Sequence, residues 1–337
     1  MTNYKTLNQF KSFAERLPLI GKSNFEEFTL ELYSFQVNNN QVYNQYVKAR
    51  GLLERNVKKV EEIPFLPIGF FKSHQVISGA IGSLNSFFSS SGTTGNITSK
   101  HYFWSKQFYL NHCLHLFEIQ YGNISDYVIL ALLPSYLERE GSSLVSMADY
   151  FLSRSGSAHS GFYLYDHKAL ASKLEELATT NKKVLLLGVT FALLDFLESV
   201  DSIPKNDHLI LMETGGMKGR RKEMIREEVH QILKNGYKVK NVHSEYGMTE
   251  LMSQAYSAGD GEYNLPACMR VYFREVSDPF SWTERSQGGI NIIDLANFHS
   301  CSFIETQDLG RKIDENKFMV LGRIDNSEIR GCNLMVN

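Results

Sequence analysis

From about residue 80 onward short apolar runs alternate with amphipathic stretches. Tyr127 to Leu133 is such a run and stops at Pro134, and Val184 to Leu187 is ended by Gly188. Asp207 to Met212 and Tyr237 to Val242 follow, the last with Tyr237, Val239 and Val242 as its apolar members. Runs of this length without polar alternation suit strands buried on both faces. Between them Leu170 to Leu177 has helical spacing, as does Glu223 to Leu233, closed near Gly236. Strand–helix alternation predicts an α/β domain with a parallel sheet. After about residue 260 the pattern breaks into short strands, Ala267 to Phe273, Gly289 to Leu295 and Lys317 to Leu321, separated by turn residues. These predict a smaller β-rich subdomain.

The first sixty residues read as helical, with Phe25, Phe28, Leu32 and Phe35, then Val42, Tyr43 and Tyr46, at helical spacing. A helical cap packed on the main domain accounts for them. Ile63-Pro64-Phe65-Leu66-Pro67 cannot be helical, because each proline lacks a donor and restricts its neighbour. It reads as an extended connector into Phe70, Phe71 and Lys72. The expected organisation is a helical N-terminal cap over 1–62, an α/β core over 63–260, a β-rich subdomain over 261–321 and a short tail over 322–337.

Composition removes several function classes. With 35 basic and 37 acidic residues the net charge is -2, which predicts neither a nucleic-acid binder nor an anionic-membrane binder. The first residues lack the apolar core of a secretory signal. The most apolar run, Val184 to Leu197, is interrupted by Asp195 and too short to span a bilayer. The four cysteines, Cys113, Cys268, Cys301 and Cys332, are scattered without a C-x-x-C pair. That argues against zinc and a disulfide scaffold and suits a reducing cytoplasm.

Three regions could carry chemistry. Ser89-Ser90-Ser91-Gly92-Thr93-Thr94-Gly95-Asn96 follows the apolar Phe87-Phe88. Glycines let successive N–H groups turn toward an anion, and hydroxyls add donors, which is what a polyphosphate needs. The segment is not a Walker loop, since G-x-x-x-x-G-K-[ST] is absent. An ordinary polar connector has the same composition. Tyr246-Gly247-Met248-Thr249-Glu250 offers an aromatic face, a hydroxyl for a phosphate oxygen and a carboxylate for Mg²⁺. Its plainer reading is a strand-to-helix turn with Thr249 as N-cap. Thr306-Gln307-Asp308 and Gly322-Arg323-Ile324-Asp325 complete the set. A lone aspartate between strands is usually a turn residue, yet a carboxylate can also accept hydrogen bonds from both hydroxyls of a ribose.

Taken in order, S-S-S-G-T-T-G, Y-G-M-T-E, T-Q-D and G-R-x-D resemble the core motifs of the adenylate-forming superfamily, which includes acyl-CoA synthetases, adenylation domains and firefly luciferase. Pro64 to Lys72 and the ending Glu328-Ile329-Arg330-Gly331-Cys332-Asn333-Leu334 narrow the resemblance to the acyl-protein synthetases, the ligase branch of the bacterial bioluminescence fatty-acid reductase system. The likeness runs from about residue 60 to 337. It implies the large N-terminal domain of an adenylate-forming enzyme, with parallel sheets flanked by helices, a small β-rich subdomain and no mobile C-terminal domain. That absent domain supplies a catalytic lysine in most relatives.

The resemblance implies ATP and Mg²⁺ as cofactors. Ser90, Ser91, Gly92, Thr93, Thr94 and Gly95 would wrap the β- and γ-phosphates. Lys100 stands as the candidate loop lysine, where relatives carry a proline-lysine pair. Tyr246 would lie against adenine, Thr249 on the α-phosphate and Glu250 on Mg²⁺. Gly215 and Gly216, within Glu213-Thr214-Gly215-Gly216, would line the adenine with backbone. Asp308 would hold the ribose hydroxyls, and Arg323 would reach ribose or phosphate. Lys218 and Arg220 are further candidate cations. Cys332 would carry the acyl group as a thioester. The expected substrate is a carboxylic acid, such as a fatty acid, in an apolar pocket with Tyr136, Phe162, Tyr163 and Tyr165 as candidate walls. The expected partner is an acyl reductase or acyltransferase. His243 is a candidate to approach the adenylate, whereas His101, His112 and His115 read as surface or packing residues. Two alternatives stay open: a ligase that passes its acyl group to CoA or a carrier protein, and a non-catalytic nucleotide-binding subunit.

Overall fold

A computed structural model describes residues 2–80, 84–90, 98–133, 141–215, 224–283 and 285–324. The chain begins with α1 (Thr2–Arg16), α2 (Phe25–Asn39), α3 (Gln41–Ala49), β1 (Leu66–Pro67) and α4 (Phe70–Ser73). The middle contains β2 (Phe87–Ser89), β3 (Lys100–Tyr102), α5 (Lys106–Tyr121), β4 (Tyr127–Leu132), α6 (Ser143–Ser155), β5 (Gly161–Phe162) and α7 (His167–Ala178). It continues through β6 (Lys183–Val189), α8 (Thr190–Ser199), β7 (Leu209–Thr214), α9 (Arg226–Tyr237), β8 (Val242–Tyr246), β9 (Ala255–Ser257) and β10 (Glu262–Asn264). The last part is β11 (Met269–Arg274), β12 (Gln287–Asp294), β13 (Phe303–Lys312) and β14 (Lys317–Arg323). Two compact units result: one of residues 1–86, 101–104 and 265–337, the other of 87–100 and 105–264. Among the described residues no helix is long and apolar enough to cross a membrane.

The second unit holds a sheet in the order β5-β4-β6-β7-β8-β9-β10. It is parallel through β8 and antiparallel for β9 and β10. Every residue of β4 is buried, and β6 is buried from Val184 to Val189, as the apolar runs require. Side-chain caps start α5, α6 and α7, where Ser105 accepts from Phe108 N, Ser142 from Val145 N and Asp166 from Ala169 N, whereas α8 and α9 start without one. Gly188 does not end its strand. It lies inside β6, where a Cβ would stand 2.6 Å from a Leu193 methyl of α8, so the missing side chain lets that helix pack close. The expected strand from Tyr237 to Val242 is also displaced. Tyr237 is the last residue of α9, fully buried, with its hydroxyl donating to Leu193 O at 3.0 Å. Lys238 then takes a left-handed conformation at φ 56° to cap the helix, and β8 begins only at Val242.

The first unit holds β11-β12-β13-β14 as an antiparallel sheet, with β1 parallel to β13. Its aromatic core gathers Phe10, Phe13, Phe35 and Phe298, and Tyr43 stacks on Phe303 at 5.9 Å. The connection from β12 to β13 is buried rather than exposed, from Leu295 to Ser302. Buried backbone polar groups must be paired. Gln36 of α2 does most of this: Nε2 lies 3.0 to 3.3 Å from Asn297 O, Phe298 O, Ser300 O and Ser302 Oγ, and Oε1 accepts from Ser302 N at 2.9 Å. Asn40 Nδ2 donates to Ser300 O at 3.0 Å.

Candidate active site

The expected site residues fall in three places, two in the second unit and one in the first. At the foot of the Ser/Thr/Gly segment, Ser90 N donates to Ser99 O at 3.1 Å and Ser99 N donates to Ser90 Oγ at 2.9 Å. These bonds bring the two ends of residues 90–99 together. Ser90 therefore joins the two ends of the segment with its side chain as acceptor. Lys100 begins β3 and is exposed, with its ammonium 4.9 Å from the Phe87 ring centre. Ser91, Gly92, Thr93, Thr94 and Gly95 lie outside the described residues, as do Tyr136, Gly216, Lys218, Arg220 and Cys332.

The second place is the C-terminal ends of β7 and β8, where parallel strands direct their following loops to one edge. Thr214 and Glu245 are register partners, and Thr214 Oγ1 donates to Glu245 Oε2 at 2.5 Å. One step earlier, Glu213 pairs with Ser244, and the buried Glu213 carboxylate collects Ser244 Oγ at 2.7 Å, Thr190 Oγ1 at 2.7 Å and Arg226 Nη1 at 2.9 Å. The His230 imidazole stands 3.5 Å away. Burial is the largest single influence on Glu213 and opposes its ionisation, yet His230, Arg226, Ser244 and Thr190 together hold its carboxyl below the ordinary range. Thr190 Oγ1 also lies 2.9 Å from Gly215 O, which ties the carboxylate cluster to the Glu213-Thr214-Gly215 turn. Gly215 there has φ +71°, a conformation glycine adopts at little cost.

Past β8, Tyr246 is buried, its ring 5.6 Å from that of Tyr263. Gly247 is exposed, Thr249 half-buried and Glu250 only 6% exposed. Thr249 and Glu250 form a turn, closed by Leu251 N donating to Met248 O at 3.1 Å, and the chain runs on to the antiparallel β9. No helix begins there, so the reading of Thr249 as an N-cap fails. His243 pairs with Tyr121 Oη through Nδ1 at 3.2 Å. Phe162 and Tyr163 are half-buried and Tyr165 is exposed.

The third place is β13, in the first unit. Thr306-Gln307-Asp308 lies inside a strand rather than in a turn between strands. Asn291 faces Glu305 and Gly289 faces Leu309, so Ile290 alone stands opposite all three residues. The tripeptide is thus a β-bulge, a device that re-aims side chains at the edge of a ladder. Asp308 is the register partner of Arg323, whose Nε lies 3.8 Å from Asp308 Oδ1 and whose Nη2 donates to Gln307 Oε1 at 3.4 Å. The T-Q-D and G-R-x-D segments, well apart in sequence, therefore meet across β13 and β14. A cavity of about 70 Å³ in the same unit is lined by Arg50, Phe65, Arg274, Trp282, Asn291 and Glu305 among others, and by none of the expected site residues.

No protein-family model and no curated protein matches the sequence. Solved structures do match in fold. A 2-hydroxyisobutyryl-CoA ligase in complex with 2-HIB-AMP and CoA has a TM-score of 0.64 at 14% identity, over 95% of this chain and 69% of that one. The ATP-bound MatB from Rhodopseudomonas palustris has a TM-score of 0.51 at 15% identity, over 73% and 49%. An ATP-bound RpMatB-BxBclM chimera gives 0.53 at 15% identity over the same shares, 73% and 49%. The α/β fold is the large-domain fold of adenylate-forming enzymes. This chain spans about half the length, 49%, of the two MatB-type structures.

Within the adenylate-forming fold, the sequence motifs sit at the end of a parallel strand (Tyr246 to Glu250), at a loop foot (Ser90) and in a strand bulge (Asp308). Among the described residues no three His, Cys, Asp or Glu side chains gather as a metal cage. Mg²⁺ bound with a nucleotide needs none, since one or two carboxylates plus substrate phosphates suffice, and the buried Glu250 fits that donor set. Cys113, Cys268 and Cys301 are all buried, and burial pushes the Cys301 thiol up to about 12. Motif reading missed the Glu213 cluster and Arg274. A glutamate directly before Thr-Gly-Gly and the doublet Gly288-Gly289 inside a strand were the available signals.

Proposed function

We propose that the protein is an ATP-dependent ligase that activates a carboxylic acid as an acyl-adenylate and passes the acyl group to a thiol. The observation that carries this reading is the coincidence of two independent likenesses: four short motifs in order along the chain, and a fold shared with ligases solved with ATP or an acyl-AMP. The carboxylate oxygen attacks the α-phosphorus of ATP, the bond to the β-phosphate breaks and pyrophosphate leaves. Both reactants are anionic, so the protein's task is to align them and neutralise charge. Thr249 bonds the α-phosphate, the 90–95 segment wraps the outer phosphates and Asp308 accepts from the ribose hydroxyls, with Arg323 beside it. Glu250 would hold Mg²⁺, which supplies positive charge to the phosphate oxygens. Tyr246, Gly215 and Gly216 form the adenine side, with Lys100 as the loop cation.

In the second half, a thiolate attacks the acyl carbon, the anhydride C–O bond breaks and AMP leaves with the electron pair. We assign the thiol to Cys332, which makes the protein an acyl-protein synthetase serving an acyl reductase or acyltransferase. Two features support this: the Pro64 to Lys72 and Glu328 to Leu334 resemblance, and the deep burial of Cys113, Cys268 and Cys301. A second reading, transfer to CoA, draws on the CoA present in the ligase with the 0.64 TM-score.

Pyrophosphate exchange across a panel of carboxylic acids tests the first half. We expect exchange with at least one acid, depressed on the order of 100-fold in Glu250→Gln and Asp308→Ala, the loss of one or two charge-assisted bonds. Wild-type rates in both variants would remove these residues from the site. Labelled acyl groups on the protein, lost in Cys332→Ser while exchange persists, support Cys332. Acyl-CoA without protein labelling favours the second reading.

A further inference from the structure

Arg274, the last residue of β11, has an unusual place for a cation. It is 4% exposed, and its guanidinium lies across β12 toward β13. Gly289 makes space for the guanidinium, since a Cβ there would sit 2.6 Å from Arg274 Cζ, and Gly288 lets the Arg274 backbone approach, since a Cβ there would sit 2.4 Å from Arg274 O. Two adjacent glycines weaken a strand, so their presence inside β12 calls for a compensating reason. The guanidinium supplies one. Nη1 donates to Ile290 O at 3.0 Å and to Asn291 Oδ1 at 3.1 Å, and Nη2 donates to Thr306 O at 2.7 Å. Ile290 and Thr306 are the two sides of the T-Q-D bulge. One rigid, forked side chain therefore bridges the gap where ladder bonds are interrupted, a task suited to arginine rather than lysine.

The bond network continues from Thr306 to the aspartate. Thr306 Oγ1 donates to Ile290 O at 2.8 Å and accepts from Asp308 N at 3.1 Å. So Arg274 fixes the carbonyl of Thr306, the Thr306 hydroxyl fixes the amide of Asp308, and the Asp308 side chain is directed from that anchored backbone. Glu305 lies 3.7 Å from Arg274 Nη2, farther than the two carbonyls that the fork reaches.

We infer that Arg274, acting through Thr306, is the positioning residue that sets the Asp308 carboxylate for the nucleotide ribose. This rests on the assignment of Asp308 to the ribose under the proposed function. Arg274 itself touches no substrate.

The test is titration calorimetry of the full chain with ATP and with 2′- and 3′-deoxy-ATP. Wild type is expected to prefer ATP. Asp308→Ala should lose that preference, with ATP weakened about tenfold or more, the value of a hydrogen bond to a charged group. Arg274→Lys and Thr306→Val should lose it likewise, with little change in affinity for the deoxy analogues, while Thr306→Ser should restore it. The double variant Arg274→Lys/Asp308→Ala should bind ATP no more weakly than Asp308→Ala alone, because both act on one contact. If Asp308→Ala loses the preference but folded Arg274→Lys and Thr306→Val both keep it, the positioning role is wrong and the ribose assignment stands. If Asp308→Ala keeps the preference, the ribose assignment falls and the inference falls with it.

Discussion

Gly247 is exposed, yet its lack of a side chain is a close-packing requirement. A Cβ there would stand 2.3 Å from Glu245 Oε1, and the other oxygen of that carboxylate is held by Thr214 Oγ1 at 2.5 Å. The glycine of Tyr-Gly-Met-Thr-Glu thus makes room for a buried acid on the preceding strand. Gly247→Ala is expected to destabilise the protein by about 1–3 kcal/mol, the cost of forcing an extra methyl into a packed site, read as a lower urea midpoint. Glu213 is the complementary case. Its carboxylate serves Thr190, Ser244 and Arg226 together, so Glu213→Leu takes the counter-charge from a largely buried guanidinium and one acceptor from each of two hydroxyls, of which Thr190 Oγ1 keeps Gly215 O. Breaking such a pair typically costs about 3–5 kcal/mol, and urea unfolding of Glu213→Leu should show a loss of that order. A loss below about 1 kcal/mol would mean the cluster re-forms around water.

Elements differ in how plainly the sequence announced them. The strands β4, β6 and β7 were legible because they are buried on both faces and contain almost nothing but apolar residues. The helices of the first sixty residues were legible from their aromatic spacing. β13, with ten residues, was not, because its Thr306-Gln307-Asp308 bulge breaks the period-two alternation that marks a strand. α5 and α6 escaped notice for want of a strong amphipathic contrast in α5 and because α6 is rich in serine. The site shows the same division. Motif spelling pointed to Thr249, Glu250, Asp308 and Arg323, whereas Arg274 and Gln36 are defined by partners far away in sequence and had no local signature. Gln36 carries the clearest consequence at this scale. It pairs the backbone of the buried 297–302 segment with both ends of its amide, so Gln36→Leu takes the acceptor from the Ser302 amide and a shared donor from the carbonyls of Asn297, Phe298 and Ser300, of which Asn297 O keeps Ser300 N and Ser300 O keeps Asn40 and Ser78. Equilibrium unfolding should show a loss of about 1–3 kcal/mol, the cost of leaving a buried polar group without its partner. A near-neutral result would show that the segment's backbone finds other partners.

Across the whole molecule the acid response draws on buried histidines in each unit, His299 in the first and His112 with the half-buried His243 in the second, whose pKa burial also lowers. His112 of the second unit is buried, with a ring nitrogen 2.9 Å from Ser253 Oγ, and burial, helped by His115, lowers its pKa to about 3. His299 of the first unit is fully buried with neither ring nitrogen hydrogen-bonded, and burial, then the neighbouring His101, holds it well below the usual range. Below the ordinary histidine value of 6.5 the unfolded chain takes up protons that neither folded unit accepts, so stability must fall as pH falls. Below 6.5 His112 and His299 each contribute a slope approaching about 1.4 kcal/mol per pH unit, for His112 down to about pH 3. The Glu213 carboxyl, depressed below its ordinary 4.5, adds its loss only at lower pH, whereas Glu305 of the first unit, raised by burial, takes up its proton above 4.5 in the folded state and offsets part of the histidine loss there. Urea unfolding at pH 7.5, 6.5, 5.5 and 4.5, followed by probes in each unit, should therefore show flat stability above 6.5 and a decline in both units below it, steeper in the second. His299→Phe removes an unpaired polar ring from an aromatic setting of Phe10 and Phe298. That variant should flatten the decline of the first unit while leaving that of the second unchanged. An undiminished slope in both would show that the folded protein accepts the proton on His299, and that the ring nitrogens have an acceptor in solution.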